Sequence, residues 1–265
     1  MEPTPDPWIQ ALRHSHEVLR STAEPLGPDQ LRQRSYAAEW SIAQVLSHLG
    51  SQAEIFGLFL DAGLSGGDPP GREEFMPIWD SWNARDPQTQ AKDALRADSA
   101  TLERFEGLTE QERASLRLPA FGTVLDVTGL ARMRLGEHAV HTWDVAVALD
   151  PGATLAPDAV ALLIDTLGQL VTRAGNPDGK QRDIHVSTSD PERSFRLLTD
   201  DRVTLTLAEA AGAGEPDADA DQLELSLPAE ALIRLIYGRL DHAHMSPVYT
   251  AGVELDELRT LFPGF

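Results

Sequence analysis

The hydrophobic pattern of this chain changes period once, and that change constrains the fold more than any other feature. As far as Thr172 the apolar residues recur at helical spacing. Beyond the segment A-G-N-P-D-G-K-Q at Ala174 to Gln181 they alternate as strands do. The alternating runs are I-H-V-S from Ile184, V-T-L-T-L from Val203 and L-E-L-S-L from Leu223. A domain boundary is therefore expected between Gly168 and Asp183. It separates a helical domain over residues 1–175 from an α+β domain over residues 183–265. A chain of 265 residues is long enough for two such domains.

Start and stop signals divide the helical part. Asp6 can cap a first helix with Pro7 at its first position, followed by Trp8, Ile9, Leu12, His16 and Leu19. Pro25, Gly27 and Pro28 end it. Ser41 and Gln44 form a capping box that opens a second helix, with the stripe Ile42, Val45, Leu46 and Leu49. That helix runs to Gly63, and Leu64 to Gly71 read as a loop. Periodicity resumes from Pro87 to Leu108 and, after a loop around Pro119 to Gly122, from Asp126 to Leu149. A further helix spans Pro157 to Thr172. These segments suffice for a four-helix bundle plus an extra helix. In the second part, the acidic tract Gly212 to Asp221 reads as a mobile loop. Pro228 opens a helix that closes at Gly238, and a strand near Val248 to Thr250 and a short helix from Leu255 follow.

Composition excludes some functions. The formal net charge of −20 argues against nucleic acid and anionic membranes as partners. There is no cysteine, so the chain has no disulfide, no thiolate ligand and no thiol nucleophile of its own. The N-terminus M-E-P-T-P-D-P-W lacks the basic and apolar regions of a signal peptide, and no apolar run is long enough to span a membrane. A soluble, cytoplasmic protein is expected.

The chemistry concentrates in R-L-G-E-H-A-V-H-T-W-D, Arg134 to Asp144. On a helix, Glu137, His141 and Asp144 fall within a sector of roughly 60°. Arg134 sits at its edge and His138 points away. Val140, Trp143, Val145 and Val147 require this helix to be buried, and a buried Glu–His–Asp stripe is costly unless paired or ligated. Two ligands from one helix cannot close a metal site, so a third must come from elsewhere, and His48 is the best candidate. Each feature has a plainer reading. A Glu–His pair four apart is common on solvated helices, and a lone histidine beside an apolar stripe is often a hydrogen-bonded core residue. His242 and His244, in D-H-A-H, converge only if they lie on a strand, and Pro247 points to a loop. The H-E-x-x-H order of zinc peptidases is absent.

The pattern W-S-x-x-x-V-x-x-H-L at Trp40 to Leu49, followed by R-x-x-E-x-x-x-H-x-x-D at Arg134 to Asp144, resembles the mycothiol-dependent maleylpyruvate isomerase family. That family belongs to the DinB-like helical bundles. Y-G-R at Tyr237 to Arg239 and A-G-V at Ala251 to Val253 resemble the sterol-carrier-like domain appended in many members. The resemblance implies a DinB-like four-helix bundle followed by a smaller α+β domain. It also implies a divalent metal, usually zinc, on His48, Glu137 and His141. Three protein ligands with an open position suit a catalytic zinc. Asp144 would either orient an imidazole or bond locally at the helix end.

The implied reaction uses mycothiol as a cofactor. Its thiolate adds to the cis double bond of a maleyl substrate, the carbon–carbon bond rotates, and the thiol leaves unchanged. Arg134 and Arg239 are candidates for recognising the dianionic substrate, although a cation near a helix C-terminus needs no such role. Similar bundles also occur in thiol S-transferases, where the thiol stays attached to an electrophile. A non-enzymatic module that binds a metal or an apolar ligand is the third possibility.

Overall fold

The computed structural model describes residues 4–37, 39–208 and 223–264. It divides into two compact units, Met1–Ala159 and Val160–Phe265.

The first unit is built on four long helices: α1 (Asp6–Ala23), α3 (Ile42–Ser65), α5 (Pro87–Glu106) and α7 (Val127–Val147). Each packs on two others in the closed order α1–α7–α3–α5. A short α2 (Pro28–Leu31), α4 (Arg72–Asn83) and α6 (Glu110–Ser115) complete its helices. The Ser41–Gln44 capping box forms as the sequence predicts: Ser41 Oγ accepts from Gln44 N at 3.3 Å, and Gln44 Oε1 accepts from Ser41 N at 2.8 Å. Asp126 caps α7, accepting from Gly129 N at 2.7 Å. Asp6 does not cap α1; it lies in the first turn, and Pro5 occupies the cap position.

Several elements of this unit escape the sequence reading: α2, α4, α6 and a short hairpin. The helix α4 contains Pro77, whose signal as a breaker hides its periodicity. It is held by Trp82, which is 1% exposed and packs with Leu46, Leu49, Ala91 and Val145. Gly50 makes room for this indole, since a Cβ there would lie 2.2 Å from Trp82 Cη2. The expected loop around Pro119 is a small antiparallel hairpin, β1 (Leu118–Ala120) with β2 (Thr123–Leu125). Phe121 and Gly122 turn it, both with positive φ.

The second unit starts earlier than the linker at Ala174 suggests. The helical run from Pro157 is broken into α8 (Pro157–Leu163), a 3-10 turn (Ile164–Thr166) and α9 (Leu167–Ala174). The helix α9 packs against β5 (Val203–Leu207), and its Gly168 approaches so closely that a Cβ would lie 2.8 Å from the Leu205 carbonyl oxygen. Helical periodicity marks a segment as helical but does not say which core its apolar face joins.

The sheet of this unit adds β3 (Arg182–Ser189), β4 (Arg193–Thr199), β6 (Leu223–Pro228) and β7 (Tyr249–Ala251), in the order β5-β4-β3-β6-β7. All neighbours are antiparallel except β3 and β6. Alternate residues Ile184, Val186, Phe195, Leu197, Leu225 and Leu227 are buried, the period-2 signature of a half-buried sheet. The helix α10 (Ala229–Ile236) packs on β3 and β6, and α11 (Leu255–Leu261) closes the described chain. The strand β4 is the one the sequence analysis does not separate from its surroundings. The acidic tract Gly212 to Asp221 lies outside the described residues.

Candidate metal centre

The helix α3 presents His48, Gln52 and Phe56 one above another at four-residue spacing, and α7 opposes them with Arg134, Glu137 and His141. Among the described residues, two groups of His, Asp and Glu side chains bring one ligand atom each to within 4.8 Å of one another. One is His48, Glu137 and His141; the other is His16, Asp98 and His138.

In the first group, Glu137 Oε2 lies 3.8 Å from His48 Nε2 and 3.9 Å from His141 Nε2. Ligands held at about 2.1 Å by a tetrahedral zinc stand roughly 3.4 Å apart, so the two separations from Glu137 need shorten by only about half an ångström. The tautomers also suit a cation. His141 Nδ1 donates to Asp144 Oδ2 at 2.8 Å, which leaves the Nε2 lone pair facing the cluster. Asp144 is fully buried, and its carboxylate has this imidazole as a partner. His48 Nε2 sits 2.9 Å from the side-chain nitrogen of Gln52, an N–H donor, so it too presents a lone pair.

The same Gln52 nitrogen donates to Glu137 Oε2 at 2.9 Å. Burial pushes Glu137 up, but its pairing with His48 and His141 and the bond from Gln52 hold it down at about 2. Burial is also the main reason that His48 titrates below its ordinary value, with Glu137 opposing the shift. An ionised Glu137 and a neutral His48 are the protonation states that a metal requires of them. Trp40 stacks near both rings, 5.1 Å from His48 and 6.2 Å from His141 between centroids, while remaining 37% exposed. The cluster thus lies beneath an aromatic cover and is still reached by solvent, since His48 and Glu137 retain partly exposed side chains.

The second group is closed. Asp98 Oδ2 accepts from His16 Nδ1 at 2.7 Å and from His138 Nε2 at 2.8 Å, while Oδ1 accepts from Arg134 Nη2 at 2.7 Å. Ser15 Oγ meets His138 Nδ1 at 2.7 Å. A cation here would face the Arg134 guanidinium, so these residues make a charge-balanced polar core. His138 leaves the Glu137–His141 face, as its helical phase predicts.

The two arginines expected to meet a substrate are both buried and bonded to groups of the protein itself. Arg134 is 1% exposed, and its Nη donors go to Asp98, to the Leu49 carbonyl oxygen at 3.1 Å and to Gln52 Oε1 at 3.1 Å. It is a buried framework residue, because an Arg in the bundle interior must be matched to a carboxylate and carbonyls. Arg239 belongs to the second unit, where it is buried and donates from Nη1 to the Tyr237 carbonyl oxygen at 2.6 Å. His242 and His244 belong to neither cluster; His244 bonds Asp241 at 2.8 Å. The sequence analysis misses Gln52 and Asp98. Gln52 is four residues from His48, a legible spacing, but nothing in the local sequence marks Asp98.

A family profile described as the mycothiol maleylpyruvate isomerase N-terminal domain matches residues 12–146. The chain belongs to this family. The match spans both motif segments and every residue of the first cluster. Among solved structures, the chain is similar to a mycothiol-dependent maleylpyruvate isomerase, with a TM-score of 0.69 and 13% identity over 96% of each chain. It is equally similar to a histidine-to-alanine mutant of a mycothiol-dependent maleylpyruvate isomerase, at 0.69 and 12% identity over 96% of each. Both units of the fold are therefore shared with that enzyme. No curated protein matches the sequence. Among the described residues, no helix is long and apolar enough to cross a membrane.

Proposed function

We propose that this family member is a divalent-metal enzyme that uses a low-molecular-weight thiol, mycothiol or a close analogue, to isomerise a maleyl-type substrate. The carrying observation is the convergence of His48 Nε2, His141 Nε2 and Glu137 Oε2, with His141 Nδ1 turned to Asp144 and Glu137 held ionised. His48, Glu137 and His141 would hold the ion, and zinc suits two imidazoles with one carboxylate. When bound, such an ion supplies a Lewis acid with an open position that lowers the pKa of an added thiol.

The chain's own residues do the rest. Glu137 contributes one negative charge. Asp144 keeps His141 in the tautomer and orientation that expose Nε2. Trp40 covers the two imidazoles and limits water at the cluster. The chain has no cysteine, so the thiol must come from solution. For a cis–trans isomerisation the sulfur adds to one alkene carbon, the remaining single bond rotates, and elimination returns the thiol unchanged. A cytoplasmic setting goes with this reading, because free thiols are kept reduced there.

The test supplies zinc-loaded protein with maleylpyruvate, with and without mycothiol, and follows isomer and adduct separately. Trans product with the thiol recovered supports the isomerase. A stable thioether formed with another electrophile would move the assignment to a thiol S-transferase. No turnover, together with no thiol-induced change in the spectrum of the cobalt-substituted protein, would leave a non-enzymatic binding module.

A further inference from the structure

We infer that Gln52 is a positioning residue that fixes Glu137 from the buried polar core and keeps it bound to the metal through a single oxygen. The inference rests on the proposed metal centre.

The amide orientation of Gln52 is set by chemistry. A guanidinium has only donors, so the atom 3.1 Å from Arg134 Nη1 is the amide oxygen. The amide nitrogen is thereby turned toward the cluster, where it lies 2.9 Å from both Glu137 Oε2 and His48 Nε2. Arg134 cannot turn away in its own right. Its Nη2 is held by Asp98 Oδ1 at 2.7 Å and the Leu49 carbonyl oxygen at 3.1 Å, and Asp98 is held in turn by His16 and His138. The Arg134 guanidinium carbon lies 5.7 Å from the centroid of the Phe56 ring, one turn beyond Gln52 on α3. A continuous chain of hydrogen bonds therefore runs Asp98–Arg134–Gln52–Glu137 from the middle of the bundle to the cluster.

This chain decides how Glu137 can bind. A free carboxylate beside a cation can offer one oxygen or both. An N–H bond on Oε2 occupies one lone pair and pins the carboxyl plane, which opposes the rotation that two-oxygen binding requires. A single-oxygen glutamate leaves one more coordination position for an incoming thiol. An ion on His48 Nε2 takes that lone pair, and the Gln52 bonds to Glu137 and Arg134 can persist.

The experiment compares wild-type protein with Gln52→Leu and Gln52→Glu, all loaded with cobalt(II). Competition with a chelator gives the affinity, visible absorption gives the coordination number, and far-UV circular dichroism with thermal melting gives the fold. Gln52→Leu keeps the volume and removes both bonds. It should weaken cobalt binding about 10- to 100-fold, in the range seen when an outer partner of a ligand is lost. Its visible bands should weaken toward those of a higher coordination number. Gln52→Glu keeps an acceptor for Arg134 and guards against a folding failure, but it faces Glu137 with an oxygen in place of an N–H. Its cobalt spectrum should also differ from wild type. Wild-type affinity and wild-type bands in both variants would overturn the role of Gln52 and leave the metal centre standing. Failure of the wild type itself to bind cobalt would overturn the metal reading, and this inference with it.

Discussion

Arg134 Nη2 donates to Asp98 Oδ1 at 2.7 Å across the bundle interior, with both side chains almost wholly excluded from solvent. The pair joins α5 to α7, and through Gln52 it reaches α3 beside the candidate metal ligands. Burial pushes Asp98 up, but His138, Arg134 and the hydrogen bond from His16 hold it well below the carboxylate range. An ion pair of this kind contributes modestly when intact and costs heavily when one partner is removed.

Asp98→Ala should therefore destabilise the protein by about 3–5 kcal/mol, because it strands the Arg134 charge and two imidazoles in the core. Urea unfolding followed by circular dichroism measures this. A loss below about 1 kcal/mol would show that water or a neighbouring group satisfies Arg134, contrary to the geometry.

His141→Ala should abolish metal binding while the circular dichroism spectrum stays that of the wild type. The ring is only 11% exposed and partners the buried Asp144 carboxylate, so the variant should keep its helices and lose some stability. Asp144→Asn is the subtler test: it keeps the volume but weakens the hold on His141 Nδ1, and should lower zinc affinity about 10- to 100-fold by titration calorimetry.

Acid should destabilise the bundle in two steps of proton uptake, both with a share at the Asp98–His138 cluster. Burial lowers the folded value of His138 below its ordinary 6.5, with Asp98 opposing the shift. A depressed folded value means that the unfolded chain binds the proton more readily, so stability is present above the unfolded value and is lost as pH falls through the folded one. The same sign applies to Asp98, whose folded value lies well below 3.8. Stability measured by urea titration should thus start to fall below about pH 6.5 and fall again below about pH 4. His138→Gln should reduce the first decline, leaving the share that comes from His48, and keep the second. A stability curve flat from pH 7 to 5 in wild type would contradict the burial of a neutral His138.

Gly50→Ala should cost about 1–3 kcal/mol or more, since the added methyl group would stand 2.2 Å from Trp82 Cη2 inside the core. The quenching or shift of tryptophan fluorescence, read with the melting temperature, checks it. Unaltered melting would mean that α4 can shift away from α3 at little cost.

Much of this protein was legible in the order of its residues. The Ser41–Gln44 box and the period-2 runs in β3, β5 and β6 are local events, decided by neighbours a few positions apart. The phase of α7 was equally local: Glu137, His141 and Asp144 share a face and His138 leaves it because the helix advances about 100° per residue. Other features depend on packing. The helix α4 forms around Pro77 because Trp82 finds a seat over Gly50, and α9 joins the sheet because Gly168 lets it approach Leu205. Arg134 could be read as a substrate-binding cation until its partner was known. That partner, Asp98, lies 36 positions away on another helix, with no motif to announce it. Sequence determines which groups a helix carries and which face they share. Only the tertiary structure decides which charge is matched inside the protein and which is left facing the solvent, because that depends on what the other helices bring to the same few ångströms.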